Sequence, residues 1–303
     1  MTDISQKILQ RYQIRKSKKQ KNAFIELIKD VMPAVQVQQS PIVKSRNLIL
    51  GDISSAKAVL TAHYDTCARM PIPNFITPMN PLLSLGYSLL ILIPVFTLIL
   101  MMNFLLSLLD ADFWLHYFLS LAAYFAFFFL LLAGPANRHT ANDNTSGVIT
   151  LLEIYQSMDE EERKKVAFVF FDNEELGLLG SSYFNSKFKK EMKDKLLINF
   201  DCVSDGDYFL IAASKKARMA HEEAITAAFM DQEEKKVLHR KLEKVHYPSD
   251  QAGFPVSIAV AALKQKKRLG YYMDKIHTKQ DTVFQEENIR YLAENTRQLI
   301  KKL

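Results

Sequence analysis

Hydrophobic residues recur along the chain in both helical and strand patterns. Ile4 and Ile8, then Phe24 and Ile28, have the four-residue spacing of amphipathic helices within the first 31 residues. Short apolar runs typical of strands follow, namely VQVQ, RNLIL, KAVLTAH, KKVAFVFF, LLINFDCV and DYFLIAA. Because such runs alternate with helical segments such as GVITLLEIYQSM, the pattern predicts an α/β fold with a mixed, mostly parallel central sheet flanked by helices.

The last third of the chain is predicted to contain two more helical segments. Residues 214–245 are rich in charged side chains and are expected to be helical. A final helix is expected after IHTKQDT, with Leu292, Thr296, Leu299 and Leu303 on one side.

Two apolar runs are long enough to cross a bilayer. Residues 82–109 form 28 consecutive uncharged positions, and residues 113–133 form 21 positions whose only histidine or charged residue is His116. Each exceeds the roughly 20 residues that span a membrane as a helix, and neither has the polar stripe of a soluble helix. We interpret them as a transmembrane helical hairpin within residues 68–134; a soluble apolar lid or a dimerisation hairpin remains the alternative.

Charged residues around this hairpin predict its orientation. Arg69 and Arg138 flank it, the polypeptide before it is rich in Lys and Arg, and the turn carries Asp110 and Asp112. Cytoplasmic segments are enriched in basic residues, so both flanks are expected in the cytoplasm. The sequence thus predicts an integral protein of the cell membrane, with the lipid bilayer as a partner.

Composition limits the other possibilities. The chain has 49% hydrophobic residues, and 39 Lys and Arg against 33 Asp and Glu give a net charge of +6. The basic residues are scattered among acidic ones, so no nucleic-acid partner is predicted. Only two cysteines occur, Cys67 and Cys202, which argues against a disulfide framework; each is expected to be a small buried side chain.

Imidazole and carboxylate side chains gather just after the predicted strands. They are His63 and Asp65 in AHYDT, Asp143 in NDNTSG, Glu174 and Glu175 in DNEELG, Asp201 in NFDCV, and His277 in IHTKQDT. Sites of open α/β sheets lie at the ends of strands, and these are the ligand types of a two-metal hydrolytic centre. Any one of these motifs alone is weak, so the prediction rests on the whole set.

In their order, these motifs resemble the zinc-dependent exopeptidases of the bacterial leucyl aminopeptidase and aminopeptidase Y type. RNLILGDISSAKAVLTAHYDT is similar to the opening strands and H-x-D motif of that family, NDNTSG to its bridging-aspartate turn, and VAFVFFDNEELGLLGS to its general-base strand and helix. SDQAGF resembles its S-D-x-x-x-F segment and IHTKQDT its closing histidine motif. The resemblance implies a catalytic domain in two parts, residues 1–67 and 135–303, interrupted by the hairpin of residues 68–134.

The same resemblance implies two divalent metal ions. His63, Asp143 and Asp201 would hold one ion, and Asp143, Glu175 and His277 the other, so that Asp143 bridges them. A cis peptide bond is implied after this aspartate. Zinc is the ion that the family implies, although carboxylate-rich sites also accept manganese or cobalt.

Catalytic roles are implied in the same way. Glu174 would be the general base for a metal-activated water that hydrolyses the N-terminal bond of a peptide substrate. Asp65 would accept the second ring proton of His63. A tyrosine often precedes the closing histidine in such enzymes, but Ile276 stands here. Tyr247 is therefore a candidate for steadying the oxyanion, with a buried structural tyrosine as the alternative.

Three functions are compatible with these residues. The first is a membrane-anchored aminopeptidase. The second is a carboxypeptidase or another amidohydrolase, because the metal centre does not decide which end of a substrate is held. The third is a catalytically inactive membrane receptor or scaffold, which the complete ligand set disfavours. The sequence leaves the substrate side chain and the oligomeric state open.

Overall fold

The computed structural model describes residues 1–70 and 74–303. Residues 71–73, which fall inside the predicted insertion of residues 68–134, lie outside the described part. The described helices are α1 (Asp3–Arg11), α2 (Lys18–Val31), α3 (Pro81–Leu108), α4 (Phe113–Ala133), α5 (Gly147–Ser157), α6 (Glu160–Arg163), α7 (Leu179–Lys187), α8 (Lys215–Ala228) and α9 (Glu286–Lys302). The described strands are β1 (Gln36–Gln39), β2 (Arg46–Leu50), β3 (Ala58–His63), β4 (Val166–Phe171), β5 (Leu196–Phe200), β6 (Tyr208–Ala213), β7 (Lys236–Lys241), β8 (Ser257–Lys266) and β9 (Gly270–Tyr272).

A single mixed sheet organises these strands in the order β1-β2-β4-β3-β5-β8-β6-β7, with β9 paired to β8. The central strands β4, β3, β5 and β8 are mutually parallel. Antiparallel pairs are formed by β1 with β2, β2 with β4, and β6 with β8. Every residue of β3, β4 and β5 is buried, as expected for parallel strands that are covered on both faces. The predicted fold class, a mixed central sheet flanked by helices, is confirmed.

Helices cover both faces of the sheet. On one face, Ile8 of α1, Phe24 of α2 and Leu292 of α9 belong to one buried apolar cluster with the strands. On the other face, the ring of Phe184 in α7 packs against that of Phe171 in β4, with centroids 5.4 Å apart. Because both faces are packed, the strand ends are the part of the sheet that is left to build a site.

The two helices of the predicted hairpin, α3 and α4, are long and apolar enough to cross a membrane. Helix α3 buries only Ser84 and Val95, and none of the 21 residues of α4 is buried. The helices contact each other through polar groups as well, since the side-chain amide of Asn103 donates to Ser120 Oγ over 2.8 Å. Exposed apolar surface of this extent is typical of a contact with a membrane or with another protein.

The two ends of the hairpin lie next to each other. Ala68 and Ala136 form an antiparallel bridge, and the backbone N–H of Arg69 donates to Pro135 O over 2.8 Å. Lys16 Nζ donates to Leu132 O near the end of α4 over 2.6 Å. The segment between α1 and α2 therefore lies against the base of the hairpin.

One prediction for the last third of the chain is partly wrong. Residues 214–245 are α-helical only in α8, which ends at Ala228; the segment continues into the edge strand β7 and a short 3-10 turn, Leu242–Lys244. Only Leu238 of β7 is buried. The other residues of this edge strand are mostly polar, so its sequence looks like that of a solvated helix. Strands β8 and β9 were not predicted at all. The final helix, α9, is confirmed, with Leu292, Thr296 and Leu299 buried.

Candidate metal centre

Four of the predicted site residues follow neighbouring strands. His63 is the last residue of β3, Glu174 and Glu175 come three and four positions after the end of β4, and Asp201 directly follows β5. Strands β4, β3 and β5 are adjacent and parallel, so their carboxyl ends meet at one edge of the sheet. The local fold thus places these side chains at the same edge.

Asp143 approaches this edge from the turn before α5. It lies in an irregular helical turn, Ala141–Ser146, and its peptide bond to Asn144 is cis, as the resemblance implied. The turn packs closely on β5, because a Cβ atom at Gly147 would lie 2.3 Å from Phe200 O. Glycine is therefore required at the start of α5 for Asp143 to reach the strand ends.

One group of side chains is centred on His63. Its Nε2 lies 3.4 Å from Asp143 Oδ1 and 3.5 Å from Asp201 Oδ1. All three residues are buried, and their ligand atoms lie within 4.8 Å of one another. This is the set that the resemblance implied for the first ion.

A second group shares the same aspartate. His277 Nε2 lies 3.0 Å from Asp143 Oδ2 and 3.4 Å from Glu175 Oε2. Cys67 joins this group, and the four ligand atoms lie within 4.8 Å of one another. The two oxygens of Asp143 therefore contact different imidazoles, one in each group.

The donors present fit divalent cations. Imidazole nitrogens and carboxylate oxygens are the ligands of catalytic zinc sites. Glu175 Oε1 is buried and accepts no hydrogen bond from any described residue. A buried carboxylate oxygen without a partner is unfavourable, and a cation in this group would satisfy it.

Burial and crowding shift the ionisation of this cluster in the absence of a cation. Burial raises the pKa of Glu175 to about 8, and the charge of Asp143 adds to the rise. Burial lowers the pKa of His277, but the carboxylates of Glu175 and Asp143 outweigh it and raise the pKa to about 9. Cations bound by this cluster would therefore displace protons from it.

Asp65 connects the histidine motif to the glutamate pair. Its Oδ1 accepts the backbone N–H of Glu174 over 3.0 Å, and its Oδ2 accepts that of Glu175 over 3.3 Å. His63 Nδ1 lies 3.1 Å from the carbonyl oxygen of Asp65 and 3.7 Å from its carboxylate. The carbonyl oxygen, and not the expected carboxylate, is thus within hydrogen-bond distance of the second ring nitrogen.

Glu174 lies beside both groups without belonging to the ligand sets above. One of its oxygens is within 4.8 Å of ligand atoms of His63 and Glu175. Burial raises the pKa of its carboxyl well above the usual range, and the charges of Glu175, Asp250 and Asp201 contribute. A carboxyl group with a raised pKa next to candidate metal ligands is suited to accept and release a proton.

Tyr247 is buried next to the first group. Its hydroxyl donates to the carbonyl oxygen of Asp201 over 3.0 Å. This contact fixes the backbone of a predicted ligand, and it supports the structural role that the sequence left open for this tyrosine.

Sequence reasoning assigned no role to three buried ionic residues here. Asp250 and Asp281 lie within the motifs SDQAGF and IHTKQDT, which were the signal that could have identified them. Asp281 accepts the backbone N–H groups of Asn142 over 2.8 Å and of Asp143 over 3.0 Å, so it fixes the turn that carries the shared aspartate. The third residue, Arg15, has no motif.

Arg15 is a fully buried cation beneath the site. Its guanidinium donates to Thr145 Oγ1 over 3.1 Å and to the carbonyl oxygens of Tyr64 and Tyr12. Burial lowers its pKa to about 10, against the opposing charges of Asp65 and Asp143, so the side chain stays charged at neutral pH. Its place in a basic stretch of sequence is typical of a solvated surface, which is why no pattern revealed it.

We expect Arg15→Met to lower the free energy of unfolding by about 1–3 kcal/mol, because the substitution leaves buried carbonyl oxygens without donors. Chemical denaturation of the purified protein measures this change. Arg11→Met is the matched control, since Arg11 is exposed on α1 and should change stability by no more than about 0.5 kcal/mol. Equal effects of the two substitutions would contradict the role given to Arg15.

Comparisons with known proteins place the chain in a family. Residues 126–300, more than half of the chain, match peptidase family M28. Over 82 residues, 26% of this chain and 16% of the relative, the sequence is 37% identical to a probable leucine aminopeptidase 2 of Aspergillus oryzae. The chain therefore matches only a small part of that protein's length.

Two solved structures share the fold. The Legionella pneumophila LapA aminopeptidase aligns with a TM-score of 0.59 at 12% identity, over 100% of this chain and 69% of the other. A Macrostomum lignano glutaminyl cyclase aligns with a TM-score of 0.53 at 13% identity, over 100% of this chain and 87% of the other. At these identities the likeness concerns the fold alone. The sequence match over more than half of its length shows that this chain belongs to peptidase family M28.

Proposed function

We propose that the protein is a membrane-anchored aminopeptidase that uses two divalent metal ions, in the first place zinc. The observation that carries this proposal is the position of Asp143, whose Oδ1 lies 3.4 Å from His63 and whose Oδ2 lies 3.0 Å from His277. A single carboxylate that belongs to two groups of donors supports a centre with two ions and a shared ligand.

In this proposal each group of side chains holds one ion. His63, Asp143 and Asp201 bind the first, and Asp143, Glu175 and His277 bind the second. When bound, the ions would polarise the carbonyl of the scissile bond and lower the pKa of the attacking water. The family match begins at residue 126, so the position of His63 is supported by the geometry and not by that match.

Glu174 moves the proton in this proposal. Positive charge in the two groups would lower its raised pKa and leave the carboxylate ionised at neutral pH. A carboxylate oxygen then takes a proton from the attacking water and delivers it to the leaving amine nitrogen. Asp65 holds the backbone of both glutamates and so keeps Glu174 at this position. Tyr247 can steady an oxyanion only after its hydroxyl has left the carbonyl oxygen of Asp201.

A separate experiment tests which amide bond of a substrate the protein cleaves. The similar proteins include named aminopeptidases and, with the same fold, a glutaminyl cyclase, so the fold does not decide the substrate. We expect purified protein to contain two metal ions per chain by elemental analysis and to cleave unblocked peptides but not their N-acetylated forms. Cleavage of blocked peptides at their carboxyl end would favour the carboxypeptidase alternative, and bound metal without hydrolysis the inactive receptor.

The proposal places α3 and α4 in the membrane and both parts of the catalytic domain, residues 1–67 and 135–303, on its cytoplasmic side. The adjacent ends of the hairpin support an insertion of residues 68–134 into an otherwise continuous domain. Exposed Lys18 and Lys19 follow Lys16, which contacts the base of the hairpin. Basic residues near the base of the hairpin would be attracted to the anionic lipids of a cytoplasmic leaflet.

Replacing residues 81–133 by a flexible Gly/Ser linker is expected to move the protein from the membrane fraction to the soluble fraction without loss of metal. The reason is that α3 and α4 provide the exposed apolar surface, whereas the metal ligands lie outside them. Fractionation followed by elemental analysis measures both properties. A linker variant that stays in the membrane fraction would contradict the anchoring role of the hairpin.

A further inference from the structure

Cys67 lies in the second group of metal-ligand side chains. Its Sγ and the ligand atoms of Asp143, Glu175 and His277 are within 4.8 Å of one another. Cys67 is 1% exposed, so solvent does not compete for the sulfur. The sequence alone indicated only a small buried side chain at this position.

The position of Cys67 is fixed by backbone contacts on two sides. Its carbonyl oxygen accepts the N–H of Asn137 over 3.1 Å, just after the hairpin returns. Three residues later, the N–H of Met70 donates to the carbonyl oxygen of His277 over 2.8 Å. The segment that carries Cys67 is therefore tied directly to the loop that carries a predicted ligand.

A second observation points to a ligand at this place. Glu175 Oε1 belongs to the same group and is buried without a hydrogen bond from any described residue. Cys202 provides the contrast, because it is equally buried and follows Asp201, yet it belongs to none of the donor groups found among the described residues. Burial beside a carboxylate therefore does not by itself place a sulfur among the donors.

We propose that Cys67 Sγ is a fourth protein ligand of the ion held by Asp143, Glu175 and His277. This inference rests on the proposed function, since it requires that ion to bind. The thiol loses its proton to solvent when the sulfur binds the metal, and no other bond is made or broken. Thiolate ligands favour zinc over manganese or magnesium, so Cys67 makes this one position selective for a softer ion.

Cobalt substitution of the full-length protein in detergent tests this inference. A thiolate bound to Co²⁺ gives a charge-transfer absorption in the near ultraviolet, which carboxylate and imidazole ligands do not give. We expect this absorption in the wild-type protein and in Cys202→Ser, and its loss in Cys67→Ser. Two bound cobalt ions without the absorption in the wild type would overturn the role of Cys67 and leave the metal centre intact. No bound cobalt at all would overturn both.

Metal affinity gives a second measurement. Cys67→Ser should weaken zinc at one of the two positions by more than about 100-fold, because loss of a group that merely orients a ligand already lowers affinity by about 10- to 100-fold. Manganese affinity should change much less, since manganese prefers oxygen ligands. Equal losses for the two metals would contradict the proposed Cys67–metal bond. If Cys67→Ser does not fold, the cobalt spectrum of Cys202→Ser still decides the question, because Cys67 is then the one cysteine left in the sequence.

Discussion

Glu174→Gln is expected to lower peptide hydrolysis by about 10²- to 10⁴-fold while both metal ions stay bound. Glutamine keeps the shape of the side chain but cannot take a proton from water. It also removes a buried acid whose pKa is already raised well above its usual range, so the fold should not be weakened. Steady-state kinetics on an unblocked peptide and elemental analysis of the same sample measure the two properties.

The neighbouring residue is the matched control. Glu175→Gln removes a donor from the second group and is expected to release one ion per chain, whereas Glu174→Gln releases none. The Glu174 variant would then lose activity while keeping both metal ions, whereas the Glu175 variant would lose a metal ion. Loss of metal from Glu174→Gln, or full activity of that variant, would contradict the role of general base.

Removal of the metal ions is expected to destabilise the protein, and by more at pH 8 than at pH 6. In the metal-free protein the pKa of Glu175 rises from 4.5 to about 8 and that of His277 from 6.5 to about 9. The folded state then binds more protons than the unfolded state between about pH 4.5 and 9, so its stability falls as pH rises through this window. Zinc requires the deprotonated ligands, so its binding strengthens over the same window.

Thermal unfolding in detergent at pH 6, 7 and 8, with zinc and with a chelator, measures this difference. An ion present at a thousand times its dissociation constant adds about 4 kcal/mol per site. Asp143→Asn is the control, because it removes the carboxylate shared by both groups and should abolish the stabilisation by zinc. A zinc effect that is constant with pH, or larger at pH 6, would contradict the proposed ligand set.

The sequence was most informative where an apolar run ends in polar residues. The runs that form β3, β4 and β5 are wholly buried and carry no competing helical pattern, so their ends could be located from the sequence. Parallel strands bring these ends to one edge, which is why His63, Glu175 and Asp201 could be expected to meet. The structure brings these three together with Asp143 and His277, and their roles as ligands stay predictions.

The remaining features depend on contacts that a linear pattern does not contain. Strand β7 exposes charged side chains at the edge of the sheet, and β8 is rich in alanine, which has little preference for strands. Part of the surroundings of Arg15 and Cys67 comes from segments that are distant in the chain. Arg15 contacts the turn before α5, and Cys67 lies near that turn and the loop before α9. No spacing rule connects such positions.

The place of the hairpin in the chain has a consequence for biogenesis. Both apolar helices leave the ribosome after His63 and Cys67 but before the other four proposed ligands. With the helices inserted into lipid during translation, the polypeptide would already be tethered when the centre becomes complete. Each new copy would thus have no peptidase activity before it is tethered to the membrane, and it would not cleave other nascent chains before that point.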